Sequence, residues 1–252
     1  MKLKIMTYNI AAGRDFTNGP EKPIIRNPGK TAEVIRGENP AVCGLNEVDY
    51  KLPRSEKIKL AKFLGDTIGY ESAFAPAVTW GPGTYGNGFL SRYPIKEVEI
   101  FPIPDPTERT EDVYYETRVI LHAVVDFDGH PADIYVTHFG LAKDEQKNAV
   151  KTLVSIIGEA QYPVILMGDF NVVPESEILD PIRAILDDTF DVYPDKSAGT
   201  ITFPSQPCIS EYRHKIDYIF VSHDIKTESV EIIESKVSDH KPYVANIIFP
   251  EV

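Results

Sequence analysis

The sequence predicts a layered α/β sandwich. Short β-rich runs alternate with a few helical stretches along its 252 residues. Two of those helices lie between strands, as in crossover units, whereas direct strand-to-strand connections abound after Gly86. That mixture fits packed mixed sheets better than a doubly wound parallel sheet.

In chain order, β-branched and aromatic residues mark strands over 3–10, 41–47, 88–91, 119–125, 132–137, 164–168, 216–221 and 243–249. A helix over 31–38 follows a Pro-Gly turn and is stopped by Asn39-Pro40. A second helix is expected over 55–64, where Ile58, Leu60, Ala61 and Leu64 stand near helical spacing. The clearest helix spans 143–159, with Val150, Leu153, Val154 and Ile157 on one face and Lys, Glu and Gln opposite. The Pro-rich piece over 101–106 reads as a surface loop rather than a linker, so one domain over 1–252 is expected.

Composition narrows the class. With 42% hydrophobic and 25% charged residues the chain can bury a sizeable core. Acidic residues exceed basic ones by 38 to 26, a formal charge of −12. That balance disfavours tracking nucleic acid by bulk charge, because phosphate backbones require clustered Lys and Arg. Two cysteines, Cys43 and Cys208, make neither a disulfide framework nor a cysteine zinc site. Cys43, inside an apolar run, reads as a small buried hydrophobe. No apolar run is long enough for a membrane span, and no secretory leader is visible. A cytoplasmic monomer is therefore expected.

The chemistry collects at the ends of β-rich runs, where open α/β sheets carry their active sites. Asn9, Glu47, His138, and Asp169 with Asn171 each close such a run, and Asp239-His240 precedes the last strand. Each fragment alone is an ordinary turn former. Together they supply carboxylate and amide oxygens suited to Mg²⁺, with two histidines suited to phosphoester cleavage.

These residues stand in motifs, in order: Thr7-Tyr8-Asn9-Ile10, Gly44-Leu45-Asn46-Glu47-Val48-Asp49, Tyr85-Gly86-Asn87-Gly88-Phe89-Leu90-Ser91, Thr137-His138-Phe139, Gly168-Asp169-Phe170-Asn171, Lys215-Ile216-Asp217-Tyr218 and Ser238-Asp239-His240-Lys241-Pro242. The set resembles the endonuclease/exonuclease/phosphatase superfamily of metal-dependent phosphoesterases. Around Glu47, Arg54 and Tyr85-Gly86-Asn87 it is similar to a bacterial subgroup of metal-dependent hydrolases. The resemblance implies a four-layered α/β sandwich, two packed mixed β-sheets flanked by helices, with the site at one end of the sheets. It implies Mg²⁺ or Mn²⁺ on Glu47, with Asn9 and Asp239 near the same ion. Asp169 would orient or deprotonate the attacking water, with Asn171 contacting the phosphate. His240 would stabilise the phosphoryl oxygens, and Asp217 would hydrogen-bond it. His138 would be the second active-site histidine. Arg118, Glu116 and Asn87 fall to the substrate, with an exposed strand pair as the alternative for Arg118 and Glu116.

Asn46 departs from the pattern, since most relatives have Gln before the metal-binding Glu; the shorter amide loses about one methylene of reach. The loop 79–86, with the sole Trp80, is either an aromatic wall over the site or a packed hairpin, and 207–212 either shapes a pocket or decorates an edge. The resulting expectation is hydrolysis of small-molecule or lipid-head-group phosphate esters by in-line water attack. The alternative is a nuclease using the same residues with a basic rim of Arg14, Lys22, Arg26, Lys30, Lys51, Arg54 and Arg92. A silent interaction scaffold is disfavoured because Glu47, Asp169, Asp217, Asp239 and His240 are all present.

Overall fold

A computed structural model describes residues 1–20, 23–193, 195 and 199–250. The first half of the chain carries β1 (Lys2–Asn9), α1 (Pro28–Glu38), β2 (Val42–Tyr50), α2 (Leu60–Ile68), β3 (Glu71–Trp80) and β4 (Gly83–Ser91). The middle carries β5 (Ile95–Pro102), β6 (Val119–Phe127), β7 (His130–His138), α3 (Lys143–Ile157) and β8 (Val164–Asp169). Last come α4 (Asp180–Arg183), β9 (Asp187–Asp188), α5 (Thr189–Val192), β10 (Asp217–Val221), β11 (Lys226–Ile232) and β12 (Tyr243–Ile248).

The strands form two mixed six-stranded sheets, ordered β11-β12-β1-β2-β4-β3 and β5-β6-β7-β8-β10-β9. Among the described residues each sheet has one parallel pair, with a crossover helix between its strands, α1 between β1 and β2 and α3 between β7 and β8. Every other pairing is antiparallel. The sheets face each other across an apolar layer that includes Ile5, Val42, Phe89, Leu121, Val136, Met167, Ile219 and Ile247. Outside one sheet, Ile35 of α1 and Leu60 and Leu64 of α2 cover Met6, Tyr8 and Leu45. Outside the other, Leu153 and Ile157 of α3 cover Tyr135, Leu166 and Phe220. The result is the four-layered sandwich of two sheets between helices. No helix among the described residues is long and apolar enough to cross a membrane.

The second expected helix requires correction. Residues 53–55 make a 3₁₀ turn, and Glu56 and Lys57 take positive φ (55° and 59°), so α2 begins only at Leu60. β3, β5, the two-residue β9 and β11 are additional strands. β5 lies at a sheet edge with most of its residues exposed, so its apolar pattern is weak. β3 carries Pro76, which suits its edge position but breaks a strand-like pattern. The turn between β3 and β4 makes the Trp80 segment a hairpin, with Trp80 stacked on Tyr85 at 5.1 Å.

Candidate active site

The period of two along a strand decides which side chains meet. On β1, Leu3 and Ile5 face the other sheet, Met6 and Tyr8 face the helices, and Asn9 continues the inward row. The same rule carries Ile134 and Val136 to His138 on β7, and Ile165 and Met167 to Asp169 on β8. On β10, Val221 and Ile219 lead back to Asp217. Register aligns the ends: Asn9 pairs with Asn46, His138 with Asp169, and Asp169 with Asp217. The site is thus the last inward rung of both sheets, polar where the rungs before it are apolar apart from Thr7.

Glu47 would face the helices under strict alternation. A β-bulge prevents this: Leu45 pairs with Gly88 and Val48 with Gly86, so Asn46 and Glu47 together oppose Asn87. Glu47 takes φ of +58°, a conformation costing about 1 kcal/mol or more for a side-chain-bearing residue. Gly168 is required just before Asp169. Its φ is +148°, and any Cβ there would collide with the Thr137 carbonyl of the neighbouring strand.

Asp169 is the hub. Its Oδ2 accepts from Asn9 Nδ2 (3.0 Å) and stands 3.5 Å from both His138 Nε2 and His240 Nε2. Its Oδ1 accepts from the Asn171 backbone N–H at 3.0 Å. Burial raises the Asp169 carboxyl to about 6, against the opposing pull of His240. The two histidines differ in charge. His240 Nδ1 donates to Asp217 Oδ2 at 2.9 Å, and although burial opposes the charge, Asp217 and Asp169 raise the imidazole to about 10. His138 is held well below its ordinary value by burial, then by Arg118 and His240. Arg118 Nη1 lies 2.9 Å from His138 Nδ1, and a guanidinium can only donate. His138 is therefore neutral, with its proton on Nε2 facing Asp169.

The donor set fits a hard divalent cation. Glu47 is raised to about 7 by burial and by the Asp239 and Asp169 carboxylates, and its side-chain partner is Asn9 Nδ2 at 3.3 Å. Converging carboxylates that take up protons in place of a counter-ion are what a water-retaining Mg²⁺-type ion neutralises. Asp169, Asp217 and His240 also lie within 4.8 Å of one another. A protonated imidazole that donates to Asp217 has no lone pair to offer, so Glu47, with Asn9 and Asp239 nearby, is the better ligand group.

The remaining expected residues divide. Asn171 Nδ2 donates to Phe139 O (2.9 Å), leaving its second amide hydrogen for a ligand. Arg118 pairs with Glu116 at 2.9 Å, and Glu116 N–H donates to Glu145, which corrects the exposed-pair alternative: both are largely buried beside His138. Asn87 is displaced from the substrate role. Its amide accepts from Asn46 (2.9 Å) and donates to Val119 O (2.9 Å), inside the sheet-to-sheet contact. Asn46 donates to Thr137 O and accepts from Asp169 N–H, both at 2.8 Å, so the shorter amide ties the sheets together instead of touching Glu47. The 207–212 loop brings Tyr212 within 4.1 Å of the His214 ring, and Phe203 packs 4.8 Å from His240. Of the proposed basic rim, Arg14, Arg26 and Arg54 gather near the site. Lys30 instead pairs with Asp15, Arg92 lies by Ala41 at the far end of β2, and Lys22 lies outside the described residues.

Comparison with known proteins agrees with this fold. No curated protein matches the chain by sequence. An endonuclease/exonuclease/phosphatase from Beutenbergia cavernae DSM 12333 shares the fold with a TM-score of 0.78 at 21% identity, over 98% of this chain and 71% of that one. Another from Bacteroides vulgatus gives 0.78 at 19%, over 99% and 100%. A mannosyl-6-phosphatase of Bacteroides thetaiotaomicron VPI-5482 gives 0.72 at 17%, over 98% and 100%. The profile of the Endonuclease/Exonuclease/phosphatase family matches residues 6–240. The chain belongs to that family of hydrolases acting on phosphate ester bonds.

Proposed function

We propose that residues 1–252 act as one catalytic domain, a Mg²⁺- or Mn²⁺-dependent phosphoesterase of small-molecule or lipid-head-group phosphate esters. The observation that carries this reading is one carboxylate oxygen, Asp169 Oδ2, set 3.5 Å from the Nε2 atoms of both His138 and His240. A carboxylate near 6 is a competent base at neutral pH, so Asp169 aligns and deprotonates water for in-line attack. The His240 imidazolium, held by Asp217, stabilises charge growing on the phosphoryl oxygens. His138, fixed by Arg118 as the Nε2–H tautomer, donates to a phosphoryl or leaving oxygen. Asn171 offers its free amide hydrogen to the same group. Glu47, Asn9 and Asp239 would hold the ion, which when bound polarises the phosphoryl oxygen.

The formal charge of −12 supports small esters over polymers, as does the fold shared with a protein named as a mannosyl-6-phosphatase. Removing Glu47, Asp169, Asp217 and Asp239 from the count still leaves 34 acids against 26 basic residues. The test is a panel of phosphomonoesters, phosphodiesters, phospholipids, DNA and RNA, with Mg²⁺ and with Mn²⁺. Metal-dependent turnover of small or lipid esters, abolished by chelation and by Asp169→Asn, is expected. Salt-sensitive cleavage of DNA or RNA alone would replace this substrate class with a nuclease.

A further inference from the structure

A cavity of about 410 Å³ opens beside the site at the same end of the first sheet. Its lining includes Ala12, Ile24, Arg26, Arg54, Ile58 and Phe63. Ala12 follows Asn9 by three residues and Arg54 follows Glu47 by seven, so both segments leave the rung that carries the predicted metal ligands. Arg54 lies near enough to Glu47 for that carboxylate to add a small favourable charge to the larger one from Asp49. It is braced by a bidentate pair with Asp49 (2.9 and 2.6 Å) and by the rings of Trp80 and Tyr85 at 4.7 and 5.3 Å.

Arg26 is the unusual member. Its backbone bridges antiparallel to Arg14, whose guanidinium lies over Phe16 at 4.4 Å. Neither Arg14 nor Arg26 has an ion-pair partner among the described residues, and Arg26 Nε is buried without a hydrogen bond. Burial, then the Arg54 and Arg14 charges, lower the Arg26 guanidinium. Two guanidiniums, Arg26 and Arg54, thus line the cavity with the Glu56 carboxylate; Asp49 is committed to Arg54, and the Arg14 charge adds to the repulsion on Arg26, in a protein with twelve excess negative charges. Such convergence costs free energy unless an anion compensates it. The α1 N-terminus meets the same space through Asn27, Pro28 and Gly29, and Asn27 makes no side-chain cap there. Ile24 and Phe63 are 45% and 37% exposed, so the wall also presents carbon.

We propose that this cavity is a second anion subsite, holding a phosphate or carboxylate of the substrate apart from the phosphoryl group that reacts. Resting on the phosphoesterase reading, it narrows the substrate to a phosphoester that carries a second anionic group on a short carbon skeleton.

The test compares alkane-α,ω-diol bisphosphates of three to six carbons with their monophosphates, on the whole protein with Mg²⁺ and with Mn²⁺. At one length the bisphosphate should show kcat/KM about 10- to 100-fold higher, mainly through KM, the worth of one or two charge-assisted hydrogen bonds. Arg26→Gln should bring that ratio close to one, Arg14→Gln, which acts on the cavity only through its charge, should lower it by a smaller factor, and Arg26→Lys should keep part of it. Should Arg26→Gln fail to fold, Arg14→Gln carries the comparison. Short-chain phosphatidylglycerol phosphate against phosphatidic acid distinguishes the sources; a preference confined to this pair assigns the second anion to a lipid head group. Calorimetry of the metal-free protein with the same bisphosphates and monophosphates reads the subsite without turnover, with binding about tenfold tighter for the bisphosphate expected. Equal binding and equal kcat/KM would overturn the subsite and leave the phosphoesterase standing. Binding preference without any turnover would overturn the phosphoesterase reading and leave the subsite.

Discussion

Two histidines flank Asp169 at the same distance, 3.5 Å, yet their surroundings are opposites. On the β10–β12 side His240 rests on Asp217 and is raised to about 10. On the β6–β7 side His138 rests on Arg118 and is held neutral. Burial disfavours the charge of both, so the neighbour decides. A carboxylate at 2.9 Å outweighs desolvation on one side, and a guanidinium at 2.9 Å adds to it on the other. One symmetric-looking arrangement thereby supplies a cation for charge stabilisation and a neutral hydrogen-bond donor.

The comparison breaks most completely at its shared centre. Asp169→Asn leaves both imidazoles in place but removes the base, and kcat should fall about 10³- to 10⁴-fold in steady-state assays with unchanged far-UV circular dichroism. Asp217→Asn attacks one side only. His240 should then fall toward its ordinary 6.5, costing about 10²-fold in kcat at pH 8 and less at pH 6, because the cation survives at lower pH. Arg118→Gln attacks the other side. Losing that positive charge should raise the His138 pKa and free its tautomer, with about a tenfold loss in kcat/KM.

The smallest effect is on stability without metal. Glu47 and Asp169 are raised to about 7 and about 6, above their ordinary 4.5 and 3.8. A carboxylate raised on folding contributes stability that is complete below its unfolded pKa and lost as pH climbs through the folded one. His240, raised to about 10, has the same sign, with its loss beginning above 6.5, whereas His138, held below 6.5, has the opposite sign and offsets it, so the two carboxylates set the net direction. The metal-free protein should therefore melt about 2–6 °C lower at pH 8 than at pH 5, and a divalent cation should reverse the drop. Calorimetric melting across pH reads this directly, and a rise in Tm from pH 5 to pH 8 would contradict it.

Much of the polar rung was legible because strand periodicity and strand ends are local. Asn9, His138 and Asp169 each sit where a β-rich run stops, whereas Asp217 is marked only by its motif. The bulge that turns Glu47 inward was not, because it depends on how β2 pairs with β4 and leaves no mark in the residue pattern. The same limit hid Asn46, whose partners lie 91 and 123 residues away, and misplaced Asn87, whose motif position says nothing of the sheet it braces. Arg14 and Arg26 could be noted only as scattered cations until their backbone bridge brought them together. The onset of α2 was obscured by apolar spacing at 58–64 that continues across two residues of positive φ.

Nitrogen NMR of the imidazoles in the metal-free protein, titrated from pH 5 to pH 9, tests the central claim most directly. His240 should keep the shifts of a doubly protonated ring to at least pH 8, and His138 should show one neutral tautomer, protonated at Nε2, from pH 6 upward. Joint titration of both rings near 6.5, or a cationic His138 at pH 7, would contradict the division of charge on which the mechanism rests.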